Sequence, residues 1–155
     1  MKRVVTGYDE KGNPAIIEEG APPTVIDAGT YVMTELWITD PAKPPVAGTD
    51  PSTREWTAEP PVGGTCFRIV EIPPVARSGE LGASDADQRF FYGAHQTDTL
   101  DYVTVLRGEV TLIVGSTEAT LMPGDSVIQQ PGVLHDWQNR SVDPCVLVGV
   151  LISAR

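Results

Sequence analysis

The chain contains two histidines, and each lies in a stretch whose residue types suit metal binding or proton transfer. His95 falls in Gly93-Ala94-His95-Gln96-Thr97-Asp98-Thr99-Leu100-Asp101. His135 falls in Pro131-Gly132-Val133-Leu134-His135-Asp136-Trp137-Gln138-Asn139. Side chains alternate between faces along a strand, so His95, Thr97, Thr99 and Asp101 share one face, and His135 shares a face with Trp137. Where two such strands meet inside a barrel, His95, Asp101 and His135 form a two-histidine, one-carboxylate set. That set takes divalent first-row metals and leaves positions open for substrate or water. Asp101 has two readings, as a direct ligand or as a carboxylate that orients His95.

A second group lies on Thr65–Ile72. Glu71 and Arg68 carry charge in an otherwise apolar run and differ in parity, so only one of them faces inward. An inward Glu71 would have its pKa raised by burial and would suit proton transfer. An inward Arg68 would suit a substrate carboxylate. Thr97, Trp137, Tyr92 and Phe67 are the expected pocket lining, since small-molecule pockets are apolar with a few convergent polar groups. No Gly-x-Ser-x-Gly elbow, phosphate-cradling glycine loop or Cys-x-x-Cys pair competes with these residues.

The elements that must position them read as short strands. The chain has 15 glycines and 14 prolines in 155 residues, which excludes a long helical bundle. Strands are expected at Arg3–Tyr8, Ala15–Glu18, Tyr31–Thr39, Thr65–Ile72, Arg89–Gln96, Asp101–Leu106, Glu109–Val114, Glu118–Leu121, Ser126–Gln130 and Cys145–Ile152. Gly and Pro turns punctuate them, which argues an all-β antiparallel barrel or jelly roll with little helix. Six prolines crowd residues 40–64, a long excursion in which Asp50-Pro51 is a candidate helix cap. The expected organisation is one domain: residues 1–64 give N-terminal strands and the Pro-rich excursion packed on a barrel formed by 65–155.

Charge bounds the partners. The formal net charge is −10, so phosphate backbones and anionic membrane surfaces are repelled, and neither nucleic acid nor a membrane is an expected partner. No apolar run approaches the length of a spanning helix. Met1-Lys2-Arg3 is followed by no apolar stretch, so a cytoplasmic location is expected. Cys66 and Cys145 are then expected as reduced, buried thiols.

The two histidine segments together resemble the cupin superfamily of small β-barrels. Its second motif reads Gly, five residues, Pro-x-Gly, two residues, His, three residues, Asn; here it is Gly124, five residues, Gln130-Pro131-Gly132, two residues, His135, three residues, Asn139. Its first reads Gly, five residues, His-x-His, three or four residues, Glu, six residues, Gly; here it is Arg89, five residues, His95-Gln96-Thr97, three residues, Asp101, six residues, Gly108. Fifteen residues separate Gly108 from Gly124, a short spacing typical of small cupins. Arg89, Thr97, Asp101 and Gln130 depart from the pattern, standing in place of glycine, histidine, glutamate and proline.

The resemblance implies a divalent metal (Fe, Mn, Zn or Ni) held by His95, Asp101 and His135, a small-molecule substrate and a homodimer. Unprotected strand edges point the same way on the last count. The expected activity is a metal-dependent lyase or isomerase, by dehydration or decarboxylation, on an organic acid, polyketide-like or aromatic substrate. The metal would act as a Lewis acid, with Glu71 a candidate base. The alternatives are an Fe(II) dioxygenase and a small-molecule-binding or sensing barrel without turnover.

Overall fold

The computed structural model describes residues 1–29, 31–42, 52, 56–75 and 93–155. Tyr92, the candidate cap at Asp50-Pro51 and the first part of the expected strand Arg89–Gln96 lie outside the described residues. Eleven strands run through the described part: β1 (Arg3–Tyr8), β2 (Pro14–Gly20), β3 (Thr24–Asp27), β4 (Val32–Thr39), β5 (Thr65–Ile72), β6 (Thr99–Arg107), β7 (Val110–Val114), β8 (Thr117–Leu121), β9 (Ser126–Gln129), β10 (Asp136–Gln138) and β11 (Cys145–Ser153). All pairings are antiparallel, and the architecture is the expected all-β, jelly-roll type.

Six strands form one sheet in the order β3-β4-β5-β11-β6-β9, and three form another in the order β10-β7-β8. The remaining two, β1 and β2, pair only with each other. Strands β3 and β4 come from the N-terminal 64 residues, yet they are hydrogen-bonded members of the barrel sheet rather than a layer laid on it. Apolar alternation in β4 is the reason: Met33 and Ile38 need the same interior that Val70 and Ile72 of β5 face.

The core lies between the two larger sheets. Met33, Val70, Ile72, Val105, Cys145 and Leu147 from the six-stranded sheet meet Val110, Leu112 and Trp137 from the three-stranded one. Each is an alternate residue of its strand, so the period-two pattern of the sequence becomes a single buried layer. Cys66 and Cys145 are both buried thiols, unlinked to each other.

Two local devices set the register. Leu36 has no partner between the pairs Glu35↔Arg68 and Trp37↔Phe67, so a bulge in β4 lets Glu35 and Leu36 both be buried. Gly108 turns β6 into β7 with φ +77°, and a Cβ there would sit 2.6 Å from the Pro144 carbonyl oxygen, so only glycine fits. Arg3 fastens the β1–β2 hairpin to β4: its guanidinium donates to the Leu36 carbonyl at 3.0 Å and to Ser52 Oγ at 2.7 Å, and pairs with Glu18.

Candidate active site

The two histidines meet outside the named strands. His95 and His135 form a single antiparallel bridge, with each backbone N–H donating to the other's carbonyl at 2.9 Å. Residues 93–96 make no longer strand, so the expected Arg89–Gln96 strand is reduced, in its described part, to this one bridge. A bridge between residues directly opposite holds both side chains on the same face. The imidazole centroids stand 4.4 Å apart with planes tilted by 54°, and Trp137 meets the His135 ring edge-on at 6.2 Å.

Each ring is tied back to its own strand. His95 Nδ1 lies 3.2 Å from the Gly93 carbonyl and His135 Nδ1 lies 2.8 Å from the Val133 carbonyl. A carbonyl only accepts, so Nδ1 carries the proton in both rings and Nε2 carries the lone pair in the neutral form. Burial lowers the pKa of His95, and the neighbouring His135 lowers it further by like-charge repulsion. His95 is therefore held towards the neutral form that ligates metals or accepts a proton.

The two rings open onto a cavity of about 60 Å³ inside the barrel. Thr97 and Asp101 line it, with Arg68 at β5 and an apolar wall that includes Met33, Val103, Leu147 and Trp137. The Thr99 hydroxyl donates to Thr97 Oγ1 at 2.8 Å, which fixes the hydroxyl that stands where the family pattern has its second histidine. Asp101 Oδ1 is buried with no hydrogen-bond partner among the described residues. Burial raises the Asp101 pKa, against the opposing pull of Thr99, His135 and Arg68.

Strand parity separates the remaining candidates. Arg68 points inward and is 2% exposed. Its guanidinium is engaged by the chain itself: Nε donates to Glu35 Oε2 at 2.7 Å, and the terminal nitrogens donate to the carbonyls of Ala58 and Thr57, both at 2.6 Å, and to Cys66 Sγ at 3.1 Å. Glu71 points outward, 3.4 Å from Arg107 on the far face of the sheet, so this candidate base is not brought to the cavity. Phe67 shares its parity and is 40% exposed, so it is not pocket lining. Strand geometry is the reason in both cases, because the inward Arg68 commits residues 67, 69 and 71 to the outer face.

Three residues that no motif flagged complete the site. Glu35 is 1% exposed and sits directly across from Arg68 in the sheet. Burial raises its pKa, opposed by the guanidinium. Gly149 lies opposite Arg68 on β11 and lines the cavity. Ala58, from the Pro-rich excursion, forms part of the cavity wall.

Two imidazoles and a partnerless carboxylate oxygen on one cavity are the donor types a divalent metal takes. They are not gathered into a ready ligand group: among the described residues no three His, Cys, Asp or Glu side chains are grouped to hold a metal ion. Among the described residues no helix is long and apolar enough to cross a membrane.

Comparison with known proteins agrees with the fold. Residues 86–151 match the cupin domain family Cupin_2. The chain is 33% identical over 79 residues to the phomopsin biosynthesis cluster protein C' of Diaporthe leptostromiformis, a match covering 51% of this chain and 34% of that protein. The chain thus spans about a third of the length of this relative. It is 25% identical over 146 residues to the cupin-domain-containing oxidoreductase srdB of Neurospora crassa, covering 90% of this chain and 66% of that protein. Among solved structures, a Cupin 2 conserved barrel domain protein from Salinispora arenicola aligns with a TM-score of 0.51 at 14% identity, over 84% of this chain and 82% of that one. An RmlC-like cupin from Shewanella frigidimarina aligns with a TM-score of 0.50 at 16% identity, over 85% of each chain.

Proposed function

Residues 86–151 match the cupin domain family, and from that premise we propose that the chain is a metal-dependent enzyme acting on a small organic molecule inside the barrel. The observation that carries this reading is the facing pair His95 and His135, each with Nδ1 tied to a backbone carbonyl, on the cavity that also holds the partnerless Asp101 oxygen. His95 and His135 would hold the ion through their Nε2 atoms, and Asp101 would be the third donor. When bound, a divalent ion supplies Lewis-acid polarisation of a carbonyl oxygen.

The chain's own groups do the rest. Nδ1 donation to Gly93 and Val133 orients both imidazoles. The apolar wall of Val103, Leu147 and Trp137 lowers the local dielectric and strengthens the polar contacts in the cavity. Proton transfer falls to the Asp101 oxygen not given to the ion, because His95 would have both ring nitrogens engaged and Glu71 faces the other side of the sheet. Lyase or isomerase chemistry needs only polarisation and one such base, and is the favoured reaction class. The bonds that already engage Arg68 remove it as the anchor for a substrate carboxylate, so the favoured substrate is compact and largely uncharged. An Fe(II)-dependent oxidative reaction is the second reading, supported by the likeness to a relative named as an oxidoreductase.

A homodimer is part of the proposal. The outer face of the six-stranded sheet exposes Phe67, Tyr102 and Ile128, apolar surface that a second copy would cover. Elemental analysis of untagged protein, joined to mass spectrometry of any co-purified ligand, tests the enzyme reading. Stoichiometric metal in the native chain and none in His95→Ala or His135→Ala is expected. A fully folded chain without metal, and unable to take any up, would overturn it.

A further inference from the structure

The cavity wall has one member that comes from neither the sheets nor the histidine segments. Ala58 lines the cavity while its neighbour Thr57 is exposed, so this short stretch is a partition between cavity and solvent. A stretch of irregular backbone needs specific bonds to stay in such a place, because it has no ladder of its own. It has them from below. The Arg68 guanidinium donates to the carbonyls of Thr57 and Ala58, both at 2.6 Å. Glu35, across the sheet from Arg68, accepts a hydrogen bond from Nε at 2.7 Å and fixes the fork in that direction. Trp56 lies over the guanidinium with 5.9 Å between the charge and the ring centroid, and its indole N–H donates to Met33 Sδ at 3.1 Å.

A second tie comes from the opposite side. Glu59 pairs with Arg155 at 2.6 Å, and Arg155 is also 3.8 Å from Asp98, three residues from His95. The strap from Trp56 to Glu59 is therefore latched at both ends, by the buried Arg68 and by Arg155. A planar guanidinium that reaches a carboxylate and two carbonyls at once is a task that lysine cannot perform, which explains an arginine buried at a cost in desolvation. About 60 Å³ is room for a few waters or a very small molecule.

We infer that the Trp56–Glu59 strap is a closable wall of the barrel cavity, and that Arg68, set by Glu35, is the positioning residue that latches it and so limits the size of what enters. The inference concerns the same cavity as the proposed enzyme site but does not depend on metal. A failed metal assay leaves the latch intact, and a failed latch leaves the metal reading intact.

The three methionines test it. Met33 lines the cavity, 2% exposed, whereas Met1 and Met122 are 68% and 50% exposed. Dilute hydrogen peroxide oxidises accessible thioethers, and peptide mapping by mass spectrometry reads each methionine separately. In the native chain Met1 and Met122 should oxidise while Met33 stays protected. In Arg68→Lys, which keeps the charge for Glu35 but loses the fork, Met33 oxidation should rise by about tenfold or more, with Met1 and Met122 unchanged. The double variant Arg68→Met/Glu35→Met removes both charges together, so it keeps an uncharged core, and it should show the same rise. Alkylation of Cys145, far into the core, reports global unfolding in the same samples. Unchanged Met33 protection in both variants would overturn the inference. So would Met33 exposure that appears only together with Cys145 alkylation.

Discussion

His95 and His135 face one another across a single β-bridge, their backbones exchanging two hydrogen bonds of 2.9 Å and their rings 4.4 Å apart. The bridge turns two residues forty positions apart in the chain into one chemical unit. Neither ring is positioned by long-range side-chain contacts alone, since each is tied at Nδ1 to a carbonyl two residues before it.

This closeness has a pH consequence in the metal-free chain. The folded state holds the His95 pKa below its usual 6.5, through burial first and His135 second. Between the folded value and 6.5 the unfolded chain therefore binds more protons, so stability rises with pH across that window and falls as the pH drops through it. Thermal melts of chelator-treated protein between pH 5 and pH 7.5, a range spanning the usual histidine titration, should show the melting temperature climbing with pH. In His95→Gln the climb should flatten. An equal slope in both chains would show that another group sets it.

Asn139 closes the second motif and holds no substrate. It is fully buried, its amide donates to the carbonyls of Ile72 and Asp143 at 2.9 and 2.8 Å, and its oxygen accepts from Ser141. It joins the end of β5 to the loop before β11. Asn139→Ala removes a donor from the buried Ile72 carbonyl and from the Asp143 carbonyl, which Ser141 Oγ also reaches, and should cost about 1–3 kcal/mol, read by urea denaturation.

The thiols should be inert. Cys66 and Cys145 are both fully buried, and burial pushes the Cys145 thiol up to about 11, with Glu109 adding to the effect. Thiolate is the reactive form, so native protein should react with a disulfide reagent many-fold more slowly than the chain in guanidinium. Rapid labelling of Cys145 in native buffer would contradict the placement of that residue.

The proposed homodimer predicts a light-scattering mass of twice the 16.6 kDa chain. A charge placed on the outer face, such as Tyr102→Lys, should lower it towards the single-chain value, since a like charge arises on both copies of a two-fold interface. A single-chain mass for the native protein would rule the dimer out.

Strand alternation made most of the architecture legible. Thr65–Ile72 reads to the residue and Cys145–Ile152 within one, because each is a short apolar run bounded by Gly or Pro. β3 and β10 escaped notice because four and three residues are too few to show a period. His95, Asp101 and His135 line one cavity, where strand parity and motif spacing place them. The orientation of β5 was not legible, since either parity of Arg68 and Glu71 satisfies the same pattern. What decides it is Glu35, thirty-three positions away, whose cross-strand carboxylate makes an inward arginine tolerable. The partition at Ala58 was equally hidden, because nothing in a Pro-rich stretch says which of its carbonyls an arginine will hold.

Cobalt(II) titration followed by visible absorption is the most direct test that His95, His135 and Asp101 form one metal site. Chelator-treated native chain should develop ligand-field bands that saturate at one equivalent. The bands should be lost in His95→Ala and in His135→Ala, and Asp101→Asn should weaken binding by about 10–100-fold. Bands that persist unchanged in either histidine variant, or a native chain that binds no cobalt while fully folded, would contradict the account.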